Sequence, residues 1–364
     1  MSDRPMRLSF RYLELAFFAG LLDDPLLFVR IRPLKQALLF DCGQLAHLAK
    51  RVVKPITAVF VSHAHMDHIM GLPTLVRHHH ASPKPLAVYG PPGIRDRVEH
   101  LLHGYDWNLA EPTWFDLQVH EVDDGEIRRT VFSGPRGFAR NDLPPLPRRG
   151  REIWSCRYAA VSAELLDHKL PVLAFRLDER PPFALDAEKL ATRGLKPGDW
   201  INDLKSRIWR GRNEHPVRVT HRDGSTALLD DPETFYRSLR LAQPVAALGY
   251  LTDCGYTAAN RTRINDLLAG LTLLCAESAF LSADMSKARA SFHLCSDDLN
   301  ALLHQLQPRF LLAMHLSKSY LRQAPDLYRE LQPPPGTVLL PLPLHVVPPP
   351  LGFDSVAGLL APPR

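Results

Sequence analysis

Short apolar runs that end on polar, potentially liganding side chains set the texture of this chain. Gln36–Phe40 leads into Asp41, residues 56–61 lead into Ser62 and His63, and 245–251 lead into Thr252 and Asp253. Residues 271–276 lead into Glu277, and 309–314 into His315. Each run is strand-length and apolar on both faces, the pattern of a strand buried between layers. Five such strands delivering polar residues at one end predict a shared edge where those residues meet, as ligands do in sheet-based α/β folds.

Helical patterns lie between the strands. Ser296 is placed to cap a helix reaching about Gln307, with Asp297 and Asp298 in its first turn, where they complement the helix dipole. Leu299, Leu302, Leu303 and Leu306 fall on one face of it, and Pro308 stops it. Residues 93–103 read as a second helix after Tyr89, Gly90, Pro91 and Pro92. Two stretches break the texture. Residues 128–151, rich in Arg, Pro and Gly, read as a flexible loop near the mouth of a site. Residues 178–225 read as a basic insertion punctuated by Pro and Gly. Beyond Gln332 the chain is Pro-rich, with proline triplets at 333–335 and 348–350. No internal repeat is present. The pattern predicts one α/β domain over 1–177 and 226–332, an insertion at 178–225 and a tail at 333–364.

Composition narrows the class. The 364 residues are 45% hydrophobic and 23% charged, enough for a sizeable core without covalent staples. Five scattered cysteines with no Cys-x-x-Cys pair argue against a disulfide framework or a zinc ribbon and for a reducing cytoplasm. No run reaches the roughly 18 apolar residues of a membrane span. Arg4, Arg7 and Arg11 precede an apolar stretch at 15–22. Glu14 beside it and the lack of a small-x-small cleavage pattern favour an early strand and loop over a signal peptide. The net charge of +5 leans towards an anionic partner.

The sharpest local signal is His63-Ala64-His65-Met66-Asp67-His68, four potential ligands in six residues directly after a strand. Imidazole nitrogens and carboxylate oxygens suit zinc and similar divalent ions. Alternation puts His63 and His65 on one side of an extended backbone, and Asp67 and His68 on the following turn can reach a second ion. By themselves, the lone His168, Asp253 before Gly255, and Asp41 also admit structural readings. His315 is more informative, because an imidazole ending an apolar strand needs a partner.

This His-x-His-x-Asp-His motif after a strand resembles the signature of the metallo-β-lactamase superfamily, which implies an αββα sandwich. The resemblance continues through His168, Asp253 and His315 in the expected order. It implies two divalent metal ions, zinc first among them. His63, His65 and His168 would hold one, Asp67, His68 and His315 the other, and Asp253 would bridge, with Asp41 supporting from behind. Within the superfamily the chain is most similar to the ribonuclease Z branch, the phosphodiesterases that process tRNA 3′ ends. The matching stretches are Asp41-Cys42-Gly43, the run from His63 to Pro73, Tyr89-Gly90-Pro91, Glu277-Ser278-Ala279-Phe280 and Phe292-His293-Leu294. That branch implies a catalytic role for Asp67 and a Glu277–His293 pair that protonates the leaving oxygen. It also implies a homodimer.

There are departures. No Gly-rich start precedes the first strands, Gln44-Leu45-Ala46 follows the Asp-Cys-Gly element, and Cys295 stands where a hydroxyl is usual. They bear on substrate more than on metal. In the insertion, 193–200 resembles a tRNA-gripping arm. There Lys196, Lys205, Arg207 and Arg210 could neutralise phosphates, and Trp200 and Trp209 could stack or pack. The expected partner is therefore a tRNA precursor. The competing expectations are a hydrolase of a small phosphodiester or other small ester and a binding module with a vestigial site.

Overall fold

A computed structural model of the chain describes residues 8, 10–81, 83–210 and 216–346, with Arg210 described by its backbone alone. Arg4, Arg7, the side chain of Arg210, and the proline triplet at 348–350 lie outside the described residues.

The chain divides into two compact units. The larger holds residues up to 154, 161–177 and those from 247 on. One sheet has eight strands in sequence order: Leu13–Phe17, Leu27–Ile31, Gln36–Phe40, Ile56–Phe60, Leu86–Gly90, Asp116–Val122, Glu126–Ser133 and Ala139–Pro147. Its centre is parallel from Gln36–Phe40 to Asp116–Val122, and its two ends are antiparallel. A second, seven-stranded sheet runs Val338–Leu339, Phe310–Met314, Leu273–Glu277, Ala247–Leu251, Pro171–Glu179, Ala159–Asp167 and Glu152–Ser155. Its first four strands are parallel.

The two sheets meet through aromatic side chains. Phe40 and Phe60 stack on neighbouring strands with centroids 5.0 Å apart, and Phe175 of the other sheet meets both edge-on at 5.7 and 5.8 Å. On the outer face of the first sheet, helices Leu72–His79 and Ile94–His103 bury Leu75, Val76, Val98 and Leu102 against Leu39, Val59 and Val88. Outside the second, Ala258–Leu268, Ser296–Leu306 and Ala324–Glu330 bury Ile264, Leu302, Leu303 and Leu327 against Leu274 and Leu311. Each such leucine contributes roughly 2 kcal/mol by leaving water. Helix, sheet, sheet and helix make the four-layer αββα sandwich that the motif implied.

Two details differ from the sequence reading. The helix through 296–306 is capped by Cys295, not Ser296. Asp298 reaches back to the Cys295 N–H (3.0 Å) while itself accepting both guanidinium nitrogens of Arg289 (2.6 Å each). The Arg-rich stretch 128–151 is mostly sheet rather than flexible loop. Ile127, Val131 and Phe132 pair with Leu146, Asn141 and Arg140 across an antiparallel ladder whose register shifts between Ile127 and Arg129. Pro144, Pro145 and Pro147 sit on the last strand of the sheet, where a missing N–H is tolerated. Three of the arginines pair with carboxylates in place, Arg128 with Glu121 and Glu126, Arg140 with Asp96 and Glu99, and Arg151 with Glu164.

The smaller unit comprises residues 155–160 and 178–246. It packs helices Ala187–Thr192, Trp200–Arg210 and Pro232–Leu239 with a hairpin, Val217–Thr220 and Thr226–Leu229, around Leu195, Trp200, Leu204, Val219 and Leu239. Asp186 and Asp231 cap two of the helices, and Asp223 shapes the hairpin turn by accepting the Ser225 N–H. No helix among the described residues is long and apolar enough to cross a membrane.

Candidate metal centre

The site forms where strand ends of the two sheets come together. Ile56–Phe60 delivers His63, and the chain then turns into the short helix Met66–Ile69. That turn is held from the neighbouring strand end. The Cys42 N–H donates to the His68 carbonyl (2.8 Å), and the Gly71 N–H donates to the Cys42 carbonyl (2.8 Å). From the second sheet, Ala247–Leu251 delivers Asp253, Leu273–Glu277 ends on Glu277, and Phe310–Met314 delivers His315. Asp41 and His315 both leave their strands with left-handed backbone, φ 54° and 59°. This costs a non-glycine residue about 1–2 kcal/mol and turns each side chain out of the strand's alternation.

Asp253 is the hub. Its Oδ2 lies 3.7 Å from His63 Nε2, 3.5 Å from His68 Nε2, 3.8 Å from His168 Nε2 and 3.9 Å from His293 Nδ1. Its Oδ1 lies 2.8 Å from His315 Nδ1. His65 stacks its ring edge-on to His63 and His168, at 4.4 and 5.3 Å. Ligating atoms of His63, His65, His168 and Asp253 lie within 4.8 Å of one another, and so do those of Asp67, His68 and His315. The structure thus brings together every histidine and aspartate picked out of the sequence as a ligand.

The fit to divalent metal ions rests on the orientation of these atoms. His63 Nε2, His68 Nε2 and His315 Nδ1 are buried without a hydrogen-bond partner. Three orphaned ring nitrogens at one carboxylate are costly unless a cation completes them. His315 Nδ1 approaches Asp253 to 2.8 Å yet lacks hydrogen-bond geometry, as expected of two ligands aimed at a common third atom. The nitrogen and oxygen donor set suits a divalent ion.

Titration follows the same logic. Burial, with help from His68, drives the His63 pKa down to about 2, so its nitrogen stays an unprotonated donor. Burial also opposes charge on His315, but Asp253 and Asp67 overcome it and lift the pKa to about 10. Asp253, buried, is nonetheless held well below the carboxylate range by His315 and His68. The carboxylates call for positive charge at this point.

Groups behind the ligands fix their orientation. Asp41 Oδ1 accepts the Ser62 N–H (2.7 Å), and Oδ2 accepts Ser62 Oγ (2.9 Å), Tyr250 Oη (2.9 Å) and His68 Nδ1 (2.7 Å). With Nδ1 so engaged, His68 presents Nε2 to the site. His168 Nδ1 donates to the Phe292 carbonyl (2.6 Å), which presents its Nε2 in the same way. Gly255 allows Phe292 this close, since a Cβ there would meet the phenyl ring at 2.7 Å. The sequence reading placed Ser62 at its strand end without a role and assigned nothing to Tyr250 or the Phe292 carbonyl. A tyrosine in an otherwise apolar strand was the one available signal, because its buried hydroxyl needs a partner.

Beside the hub, Glu277 Oε2 accepts from His293 Nδ1 at 2.9 Å, while Oε1 takes the Cys254 and Leu294 N–H groups at 3.0 and 3.1 Å. Burial disfavours a charged His293, but Glu277, by charge and hydrogen bond, and Asp253 lift its pKa above the ordinary 6.5. His65, Asp67, Asp253, His293 and His315 open onto a cavity of about 380 Å³, also walled by Leu22, Asp23, Asp24, Phe280 and Lys318.

The basic residues of the insertion all lie in the smaller unit. Lys196 is exposed, Lys205 lies over the Trp209 ring (4.1 Å), and Arg207 pairs with Asp203 (2.8 Å). Trp200 is buried with its indole N–H on the Lys196 carbonyl, so it packs inside the unit.

The comparisons agree with this architecture. A family model described as a beta-lactamase superfamily domain matches residues 36–140. Ribonuclease Z of Deinococcus radiodurans is 30% identical over 288 residues, covering 78% of this chain and 83% of that protein. Ribonuclease BN of Escherichia coli is 29% identical over 294 residues, covering 78% and 79%. A metallo-β-lactamase-fold protein from Bacillus subtilis, YhfI, superposes with a TM-score of 0.50 at 13% identity, over 91% of this chain and 96% of that one. With the sandwich, its converging histidines and a relative aligned over most of both lengths, the chain belongs to the ribonuclease Z family of metallo-β-lactamase-fold, metal-dependent hydrolases.

Proposed function

We propose that this chain is a two-metal phosphodiesterase that cleaves tRNA precursors endonucleolytically at their 3′ ends. The observation that carries the reading is the hub at Asp253, with four imidazoles within 3.8 Å of its carboxylate and the Glu277–His293 pair beside it. His63, His65 and His168 would hold one ion, Asp67, His68 and His315 the other, with Asp253 between them. Zinc suits this histidine-rich donor set. Bound there, two divalent cations would lower the pKa of water towards neutrality and offset the charge that builds on a phosphodiester.

The remaining work falls to side chains. Asp67, kept anionic by His315 and His68 despite burial, accepts a hydrogen bond from the attacking water and so aims it. His293, its Nδ1 tied to Glu277, donates from Nε2 to the departing oxygen. Glu277 is immobilised by two backbone N–H groups, which fixes the tautomer of its partner. In the smaller unit, Lys196, Lys205, Arg207 and Arg210 are assigned to phosphate contacts along the tRNA. The resemblance assigns a homodimer, and five unpaired thiols suit the cytoplasm.

A panel of precursor tRNAs and small chromogenic diesters, run across a salt series, tests the assignment. Precursor tRNA cleaved at its 3′ side, with affinity falling steeply as salt rises, is the expected result. Turnover of small diesters with no affinity for tRNA would assign the site to a small-molecule substrate instead.

A further inference from the structure

One wall of the catalytic cavity is held by the far C-terminal segment of the chain. From the edge strand Val338–Leu339, the chain runs along the strand that ends at His315. The Leu340 N–H donates to the Leu311 carbonyl (2.7 Å), and the Leu342 N–H to the Tyr328 hydroxyl (2.8 Å). It then closes on the loop 20–24. The Leu21 and Leu22 N–H groups donate to the Pro343 and Leu344 carbonyls at 2.8 and 3.1 Å. Gly20 makes this approach possible, because a Cβ there would sit 2.3 Å from the Leu344 oxygen.

Asp23 locks the contact. Its Oδ1 accepts His345 Nδ1 (2.5 Å), and its Oδ2 accepts the Val346 N–H (2.8 Å) and the Gly20 N–H (2.7 Å). The same loop faces the site. Leu22, Asp23 and Asp24 line the cavity, and the Leu21 carbonyl accepts the N–H of Leu316, next to His315. The mostly covered Asp24 carboxylate pairs at 3.1 Å with Nζ of the exposed Lys318. Lys318 is the only cation besides histidine among the described residues lining the cavity, and it shares that lining with Asp23, Asp24, Asp67 and Asp253.

We propose that the segment 343–346, latched through His345 and Asp23, is a positioning element of the active site that sets the Asp24–Lys318 wall against which a substrate phosphate docks. This deepens the phosphodiesterase reading and rests on it for the identity of the docked group. The latch touches none of the proposed metal ligands, so its loss acts on substrate docking and spares metal loading. Positioning residues of this kind shift KM before kcat.

The test compares wild type with His345→Ala, His345→Asn, which keeps a side-chain donor near the Nδ1 position, and Asp23→Ala. Three quantities are read: metal content per chain, affinity of the cobalt(II)-loaded protein for inorganic phosphate by its visible spectrum, and KM and kcat on a chromogenic diester. The expected result for His345→Ala and Asp23→Ala is full metal content, phosphate affinity weakened about 5–10-fold, KM raised by a similar factor and kcat within about 2-fold, with His345→Asn near wild type. Unchanged phosphate affinity in both alanine variants, or loss of metal from either, overturns the proposal. If the wild type turned over no diester or RNA, the phosphodiesterase reading would fail. The latch would then be judged by phosphate affinity alone, which needs no turnover.

Discussion

His68 donates its Nδ1 proton to Asp41 Oδ2 across 2.7 Å, where neither side chain touches solvent. That one bond decides which nitrogen faces the site. It is supported from both sheets, by Ser62 after the strand that ends at Phe60 and by Tyr250 on the strand facing it. Asp41→Ala frees the ring to turn and takes the acceptor from four donors, the Ser62 N–H, Ser62 Oγ, Tyr250 Oη and His68 Nδ1. The expected outcome is a loss of metal affinity or activity of about 10–100-fold, read by chelator competition. Wild-type affinity in a folded Asp41→Ala protein would show that the bond does not orient the ligand.

The Glu277–His293 pair predicts a dependence on the leaving group. An RNA 3′ oxygen is a poor leaving group and needs a proton, the one assigned to His293, whereas p-nitrophenolate departs readily without it. His293→Ala should therefore slow RNA cleavage by about 100-fold or more while leaving turnover of a p-nitrophenyl diester within a few-fold of wild type. Metal content should not change. Equal losses on both substrates would remove His293 from the role of acid.

The fold itself titrates away from the site. His120 stacks on Tyr89 at 4.4 Å, and burial, reinforced by Arg129, pulls its pKa from 6.5 to about 4. The unfolded chain binds a proton at this residue from about pH 6.5 downwards, and the folded chain refuses it until about pH 4. Stability from this residue is complete above pH 6.5 and is lost as the pH falls towards 4. Between pH 7.5 and 5.0 the loss is about 2 kcal/mol. Urea unfolding of wild type and His120→Phe at both pH values reads it. The variant's stability should fall less over that interval, by about that amount, and parallel losses would contradict the assignment.

The smaller unit offers a separation of tasks. Trp200 anchors its core, and Trp200→Ala should cost that unit about 3–5 kcal/mol. Loss of tRNA affinity with metal content and small-diester turnover retained is the expected pattern. Undiminished tRNA binding by a variant whose smaller unit has melted would remove that unit from RNA recognition.

What the sequence made visible follows the range of the interactions. The cluster from His63 to His68 stands out because its four donors are neighbours along the chain. His168, Asp253 and His315 are single residues in ordinary surroundings, and only the resemblance tied them together; in the structure His168 and His315 both approach the Asp253 carboxylate. The strands were legible because apolar runs of that length have few other uses. The Arg-rich stretch was misread because part of its charge, at Arg128 and Arg140, is paired across neighbouring strands and a helix, which lets the segment join the sheet. Nothing local marks the Phe292 carbonyl as the anchor of His168, since a carbonyl belongs to every residue. The His345–Asp23 latch joins positions 322 residues apart, and no periodicity reports such a contact.

The central claim is that scattered histidines and aspartates cage two divalent ions that carry out hydrolysis. Metal analysis of wild type and His65→Ala, alongside activity on precursor tRNA from the same preparations, tests it most directly. Two equivalents per chain are expected in an active wild type, with metal and activity lost together in His65→Ala. An inactive His65→Ala protein that still holds two equivalents, or an active wild type stripped of metal, would contradict it.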